Sequence, residues 1–251
     1  MKKKTSSRGL KSHVKTAKGR KISSTLWLQR QLNDPYVQRA RKDGYRSRAA
    51  YKIAELDDQF KFFGKNKTVV DLGAAPGGWT QVAVARCGKD KVVAMDILEM
   101  GDIEGAIVLH KDFTQDDAPE LLKRTIEERW RSTSDDAAKR GGASAEHERG
   151  QDAPRVIDVV ISDMAPNATG HVETDHIRIM MLVELAVDFA IEVLKPGGWF
   201  VAKVWQGGTE SEALKRLKKH FVKVKHAKPN ASRKDSAETF VVAQGFRKQV
   251  F

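Results

Sequence analysis

Short apolar runs alternate with amphipathic segments along most of the chain. The runs rich in Val, Ile and Phe predict seven strands, at 67–71, 91–96, 106–109, 156–163, 199–205, 221–226 and 239–244. Segments with a helical spacing of apolar residues lie between most of them, at about 79–87, 116–130, 175–194 and 211–220. Such alternation is typical of a doubly wound, mostly parallel α/β sheet. The last two strands are too close together for an intervening helix, so the pattern predicts a C-terminal antiparallel hairpin.

Two regions do not follow this pattern. Residues 1–21 are rich in Lys and Ser, and residues 131–154 are rich in Gly, Ala, Ser and charged residues, without an apolar period. About 190 residues remain, which is the size of one α/β domain. We therefore expect a basic flexible tail over 1–21 and a single domain over 22–251, in which 131–154 forms a polar surface insertion.

The positive charge is concentrated at the start of the chain. The net charge is +12, and the first 50 residues contain 15 Lys and Arg but only 2 acidic residues. A basic tail suits a polyanion such as nucleic acid or an anionic membrane; a solubilising tail and a mitochondrial presequence are the alternatives. No run approaches the roughly 18 apolar residues of a membrane span. We expect a cytoplasmic protein that does not engage a membrane.

The segment VVDLGAAPGGWTQVA, residues 69–83, combines a strand, a glycine-rich turn and the start of a helix. Gly73 and Gly77 allow a sharp turn close to a ligand, but dinucleotide-binding folds use a similar turn. Two acidic residues narrow the choice of ligand. Asp71 ends its strand beside the turn and suits a cationic amino group, and Asp96 ends the next strand, where it can hold ribose hydroxyls. A ligand with a ribose and an ammonium group but no phosphate is S-adenosylmethionine.

Three more polar residues lie at or near strand ends. Asp112 follows the third strand and can reach an adenine amino group, although a turn cap is an equal alternative. Asp163 ends the strand at 156–163 and would border the cofactor's methyl group; its alternative is a carboxylate that ties down the following loop. Lys203 interrupts the apolar run WFVAKVW, and side-chain alternation places its amine beside Asp163. Ligands of open parallel sheets bind beyond the carboxyl ends of the strands, so we expect one crevice to contain Asp71, Asp96, Asp112, Asp163 and Lys203.

Several longer motifs together resemble the FtsJ/RrmJ family of ribosomal RNA large-subunit 2'-O-ribose methyltransferases. They are RSRAAYK, VVDLGAAPGGWTQ, SDMAPNATG, FVAKVWQGG and KPNASRKDSAETFVVAQG. The resemblance covers nearly all of the chain except the first 20 or so residues and 131–154. It implies a Rossmann-like, seven-stranded fold and a catalytic tetrad of Lys52, Asp163, Lys203 and Glu238. It also implies S-adenosylmethionine contacts at Gly77, Trp79, Asp96, Asp112 and Asp163.

The resemblance further implies the substrate, which is a uridine in the A-loop of 23S rRNA within the 50S ribosomal subunit. We expect a monomer. The single Cys87 rules out an intramolecular disulfide, and the seven histidines lack ligand spacing, so no metal site is expected.

The residues themselves leave part of the tetrad open. Lys52 borders an apolar helical face that includes Ile53 and Leu56, so it either snorkels to solvent or points into the crevice. Considered without the resemblance, Glu238 is more readily interpreted as a solvated charge. A ribose 2'-hydroxyl is a poor nucleophile and needs a proton acceptor, for which Lys203 is the candidate. Whether Lys203 removes the proton outright or steers the hydroxyl lone pair stays open.

Other functions are disfavoured to different degrees. Methylation of a base at carbon 5 requires a cysteine nucleophile, and Cys87 lies on a predicted helix. Methylation of an exocyclic amine commonly uses a proline-rich loop that ends in an aromatic residue, which DMAPNATG lacks. A nicotinamide-dependent oxidoreductase and a non-catalytic RNA-binding or ribosome-assembly factor remain as alternatives.

Overall fold

The computed structural model describes residues 22–140, 156–166, 169–205 and 212–247. Seven helices and seven strands occur in these ranges. In chain order they are α1 (Ile22–Leu32), α2 (Pro35–Lys42), α3 (Ala49–Phe60), β1 (Val69–Leu72), α4 (Gly78–Cys87), β2 (Val92–Asp96), β3 (Ala106–His110), α5 (Ala118–Arg140), β4 (Ile157–Ser162), α6 (Val172–Val193), β5 (Leu194–Trp205), α7 (Glu212–His220), β6 (Phe221–Ala227) and β7 (Glu238–Phe246).

The strands form one mixed sheet in the order β3-β2-β1-β4-β5-β7-β6. The first five strands in this order are parallel to their neighbours, and β7 runs antiparallel to both β5 and β6. The predicted mostly parallel sheet with a C-terminal antiparallel hairpin is therefore confirmed. Because β7 lies between β5 and β6, the lysine-bearing strand β5 is paired on both sides.

Helices cover both faces of the sheet. Val69 and Val159 belong to the apolar cluster that contains residues of α3 and α4, whereas the next residues, Val70 and Val160, belong to the cluster that contains residues of α5, α6 and α7. All four side chains are fully buried. Burying a valine side chain contributes about 1.5 kcal/mol or more, so continuous apolar strands of this kind stabilise a sheet that is covered on both faces.

The structure corrects one predicted boundary. Helix α5 continues to Arg140, ten residues beyond its predicted end, so the first part of the 131–154 segment is helical. Residues 118–140 contain Pro only in the first turn and no Gly, and two glycines follow directly at 141 and 142. A polar sequence with no glycine in its interior is compatible with a helix of this length. The rest of that segment and the basic tail lie outside the described residues. Within the described residues no helix is long and apolar enough to cross a membrane.

Candidate active site

Three carboxylates meet at the carboxyl ends of β1, β2 and β4. The Asp71 side chain has no exposed surface; one of its oxygens accepts a hydrogen bond from the Thr80 hydroxyl at 2.6 Å. Its other oxygen, Oδ1, has no hydrogen-bond partner in the described part of the chain. Burial, together with the nearby charges of Asp163 and Asp96, raises the pKa of Asp71 to about 7. The predicted clustering of these three acids is confirmed, but the Asp71 side chain is fully buried.

Asp96 joins the glycine-rich turn to the end of β2. Its Oδ2 accepts a hydrogen bond from the Ala75 amide at 2.8 Å, and its Oδ1 accepts one from the Leu98 amide at 2.7 Å. Each carboxylate oxygen can accept a second bond, so the side chain retains capacity for hydroxyl donors. The two residues that follow, Ile97 and Leu98, are 60% and 64% exposed, which leaves an apolar surface beside this carboxylate.

The glycines of the turn allow two protein segments to pack closely. Gly73 has φ +74°, and a Cβ on it would lie 2.6 Å from the Met164 backbone nitrogen. Gly77, with φ +108°, would bring a Cβ within 2.5 Å of the Ile103 side chain. In this structure, therefore, the space that a side chain would occupy is filled by neighbouring loops.

Two predicted cofactor residues use their side chains for the protein itself. The Trp79 indole is buried in the core, where its Nε1 donates to the Ala49 carbonyl oxygen at 2.9 Å and its ring packs against Phe240. Asp112 accepts hydrogen bonds through Oδ1 from the amide and hydroxyl of Thr114, at 2.9 and 2.8 Å. Asp112 thus caps a turn, in agreement with its alternative interpretation. Cofactor contacts by either residue stay predictions.

Lys203 pairs with Asp163 across the sheet. Its Nζ lies 2.8 Å from the Asp163 Oδ1 and donates a hydrogen bond to the Asp163 carbonyl oxygen at 2.7 Å. The two side chains are 10% and 21% exposed. Because Ala202 pairs with Ser162 in the parallel strands β5 and β4, Lys203 and Asp163 lie at the same height in the sheet. The predicted proximity of the two side chains is therefore confirmed.

Lys52 pairs with Glu238 from the opposite ends of the chain. The Lys52 Nζ lies 2.7 Å from the Glu238 Oε2, and both side chains are 15% exposed. The Ser232 hydroxyl donates to the other oxygen, Oε1, at 2.9 Å. The interpretation of Glu238 as a solvated charge is wrong, because two donors hold its carboxylate in a nearly buried position. Of the two options for Lys52, the structure shows the inward one.

The two ion pairs lie on the same face of the sheet. Antiparallel pairing sets Lys203 opposite Phe240 and Trp205 opposite Glu238. Since side chains two residues apart share a face, Lys203, Glu238 and Phe240 all point towards α3. The Lys52 Nζ lies 5.9 Å from the centre of the Phe240 ring. The two ion pairs of the predicted tetrad thus lie on the face of the sheet that also carries Phe240.

Sequence reasoning did not find the residues that hold Glu238 in place. Arg48 donates to the Ala231 carbonyl oxygen, and the Glu55 carboxylate accepts a hydrogen bond from the Ala231 amide at 2.9 Å. These contacts fix the turn that carries Ser232 against α3. KPNAS is typical of a turn, but nothing local in it indicates that it meets residues 176 or more positions away.

Cysteine and metal chemistry find no support in the described residues. No group of three or more His, Cys, Asp or Glu side chains in them is arranged to hold a metal ion. The Cys87 thiol is buried on α4, and burial raises its pKa to about 11. A thiol with such a pKa is a poor nucleophile near neutral pH.

The sheet is Rossmann-like, with acidic strand ends and a glycine-rich turn, and this arrangement suits an enzyme of the methyltransferase class. Residues 45–246 match the family described as FtsJ-like methyltransferase. The chain belongs to this family, as its motifs predicted.

Several bacterial relatives are similar over nearly the whole chain. A protein of Maricaulis maris is 55% identical, over 93% of this chain and 74% of its own length, and one of Paramagnetospirillum magneticum is 55% identical, over 96% and 90%. Both are called ribosomal RNA large subunit methyltransferase E. Among solved structures, a Plasmodium falciparum protein described as a ribosomal RNA methyltransferase is 25% identical, with a TM-score of 0.62, over 80% of this chain and 98% of its own.

Proposed function

We propose that this protein transfers a methyl group from S-adenosylmethionine to the ribose 2'-hydroxyl of a uridine in the A-loop of 23S rRNA. Its substrate is the assembled 50S subunit, and it acts as a cytoplasmic monomer. The observation that carries the proposal is the Lys203–Asp163 pair, 2.8 Å apart, at the edge of the sheet where Asp71, Asp96 and Asp163 lie near one another. The names of the bacterial relatives support the large ribosomal subunit as the target.

The carboxylate edge suits a cationic cofactor. Asp71, Asp96 and Asp163 repel one another, which contributes to the raised pKa of Asp71, and a bound positive charge would relieve that repulsion. The unpartnered Oδ1 of Asp71 provides an acceptor for an ammonium group, and Asp96 retains capacity for ribose hydroxyls. The same edge would repel a pyrophosphate, which argues against the nicotinamide-dependent alternative.

The reaction needs a positioned hydroxyl and a proton acceptor. When bound, S-adenosylmethionine supplies an electrophilic methyl group on a positively charged sulfur. In our proposal Lys203 accepts the proton of the 2'-hydroxyl as the oxygen attacks, and Asp163 orients the Lys203 amine through its two contacts. Holding the hydroxyl in line with the methyl group contributes a large part of the rate acceleration.

The second ion pair, Lys52–Glu238, would contact the RNA substrate. Glu238 holds the Lys52 ammonium over the buried Phe240 ring, and the exposed part of the Lys52 side chain is suited to the target ribose or its phosphate. We propose that Lys52 and Glu238 position the nucleotide while Lys203 handles its proton.

Methylation of 50S subunits tests the proposal. Subunits that lack the modification are incubated with the protein and S-adenosylmethionine labelled in the methyl group, and the modified nucleotide is then mapped. We expect one labelled 2'-O-methyluridine in the A-loop. Label on a base, label at a nucleotide outside the A-loop, or binding without transfer would contradict the proposal; the last result would identify a non-catalytic assembly factor.

A further inference from the structure

A groove with a cavity of about 240 Å³ opens between the end of α3 and the edge of the sheet. Its lining combines apolar side chains, two lysines of β6 and two glutamines: Phe60, Trp199, Val242, Lys223, Lys225, Gln59 and Gln244. None of these residues belongs to the tetrad or to the predicted cofactor site.

The groove lies on the same face of the sheet as the tetrad. Trp199 precedes Lys203 by four residues on β5, which corresponds to about 13 Å at the usual rise of a strand. Helix α3 spans the same interval, with Lys52 near its start and Phe60 at its end. A single extended ligand can therefore contact both sites.

The lining combines an aromatic surface with positive charge. Lys223 and Lys225 are exposed, and no ion pair joins either of them to an acidic residue in the described part of the chain. Phe60 is half-buried and Trp199 is 9% exposed, so Phe60 provides most of the accessible aromatic surface. Aromatic rings beside lysines fit a nucleobase and its phosphate, while side-chain amides can bond the edge of the base.

We infer that this groove binds an unpaired nucleotide of the same ribosomal RNA, at a distance from the methylated ribose. The inference rests on the proposed function and adds a subsite to it. The competing explanation is that the lysines protect β6, which is an edge strand, from pairing with other chains. That explanation predicts self-association of lysine variants and no change in RNA affinity.

Paired substitutions separate the two explanations. Lys223→Gln/Lys225→Gln removes the two charges at the groove. The matched control, Lys215→Gln/Lys219→Gln, removes two exposed charges from α7 on the opposite face. Binding to unmethylated 50S subunits and to fluorescein-labelled oligouridylate is measured over a range of salt concentrations, together with kcat and KM for methyl transfer.

We expect the groove variant to bind 50S subunits about tenfold more weakly than the control variant. Its log-log salt dependence should be less steep by about 1.4, or about 0.7 for each phosphate that the variant no longer neutralises. Oligouridylate binding should weaken in the same direction. KM for the subunits should rise, whereas kcat and cofactor affinity should stay unchanged, because the substituted residues lie outside the reacting site.

Three results would overturn the inference. Equal weakening in both double variants would show that only net charge matters. Unchanged RNA affinity with increased self-association of the groove variant would assign the lysines to edge protection. Wild-type protein that fails to methylate the subunits would overturn the proposed function itself, and this inference with it.

Discussion

The chemistry proposed for Lys203 depends on its ability to lose a proton while it remains beside Asp163. Lys203→Arg keeps a cation with several donors at this position, but guanidinium does not deprotonate near neutral pH. We expect folding and S-adenosylmethionine binding to persist, while single-turnover methylation of 50S subunits falls by about 100-fold or more. Calorimetric cofactor titration on the same sample is the companion measurement.

Lys203→Ala is the less informative variant, because it leaves Asp163 without its cation and should destabilise the fold by a few kcal/mol. Near-wild-type turnover in Lys203→Arg would remove Lys203 from the role of proton acceptor. Lys52 would then be the next candidate for the proton acceptor.

Asp71 should make the stability of the protein depend on pH. Its pKa is about 7 in the folded state against an ordinary 3.8, so the folded protein retains a proton that the unfolded chain releases between these values. Stability from this group is therefore fully present below about pH 4 and is lost as the pH rises towards 7. The loss is on the order of 4 kcal/mol, at about 1.4 kcal/mol per pKa unit.

Asp71→Asn tests this dependence, because asparagine keeps an acceptor for the Thr80 hydroxyl but does not ionise. Urea unfolding of both proteins at several pH values between 4.5 and 7.5 gives the difference in their free energies of unfolding. We expect the wild type to lose stability relative to the variant across this range. Parallel curves would show that Asp71 does not titrate there.

Ser232 should affect turnover because its hydroxyl helps to hold the Glu238 carboxylate in place. Ser232→Ala removes one of the two donors to the Glu238 carboxylate and leaves the Lys52 contact. A hydrogen bond to a charged group is worth about 1.5 kcal/mol, so we expect kcat to fall about tenfold with cofactor affinity unchanged. Ser232→Thr, which retains a hydroxyl, should recover most of the loss. Equal turnover in all three proteins would limit Ser232 to a structural role.

At the level of elements, the turn between β1 and α4 should tolerate no side chain at Gly73. Gly73→Ala combines a left-handed backbone, which costs about 1 kcal/mol, with a clash against the Met164 backbone. We expect a loss of about 3 kcal/mol or more in the free energy of unfolding.

Gly44→Ala is the matched control, because Gly44 has a similar φ of +78° and nothing within 4 Å of an added Cβ. It should lose only about 1 kcal/mol, from backbone strain alone. Similar losses in the two variants in urea unfolding would mean that the loop after β4 moves away readily. Close packing of these two loops would then be unimportant for the site.

For the molecule as a whole, the uneven charge predicts a role for the basic tail in substrate binding. Removal of residues 2–21 should weaken binding to 50S subunits and reduce the log-log salt slope by about 0.7 for each phosphate that the tail neutralises. Cofactor affinity should not change, because the family match begins only at residue 45. An unchanged salt slope would favour a solubilising tail.

The local pattern was sufficient for the architecture and for half of the site. Apolar runs of strand length, separated by helical segments, predict a parallel sheet because each element must bury its own apolar face. Carboxyl ends of parallel strands meet at one edge, so the proximity of Asp71, Asp96 and Asp163 follows from their positions alone. Lys203 stood out for a similar reason, since a lysine inside an apolar strand needs a partner.

Only the tertiary structure decided which side chains face the site and which serve the core. Lys52 and Glu238 are 186 residues apart, and they meet because β7 inserts beside β5 while α3 packs over both. The Trp79 side chain lies in the core and Asp112 caps a turn, although both residues follow strands that end at the site. The direction of a side chain depends on the space and the partners that distant segments provide. The spacing of neighbouring residues in the sequence does not reveal those segments.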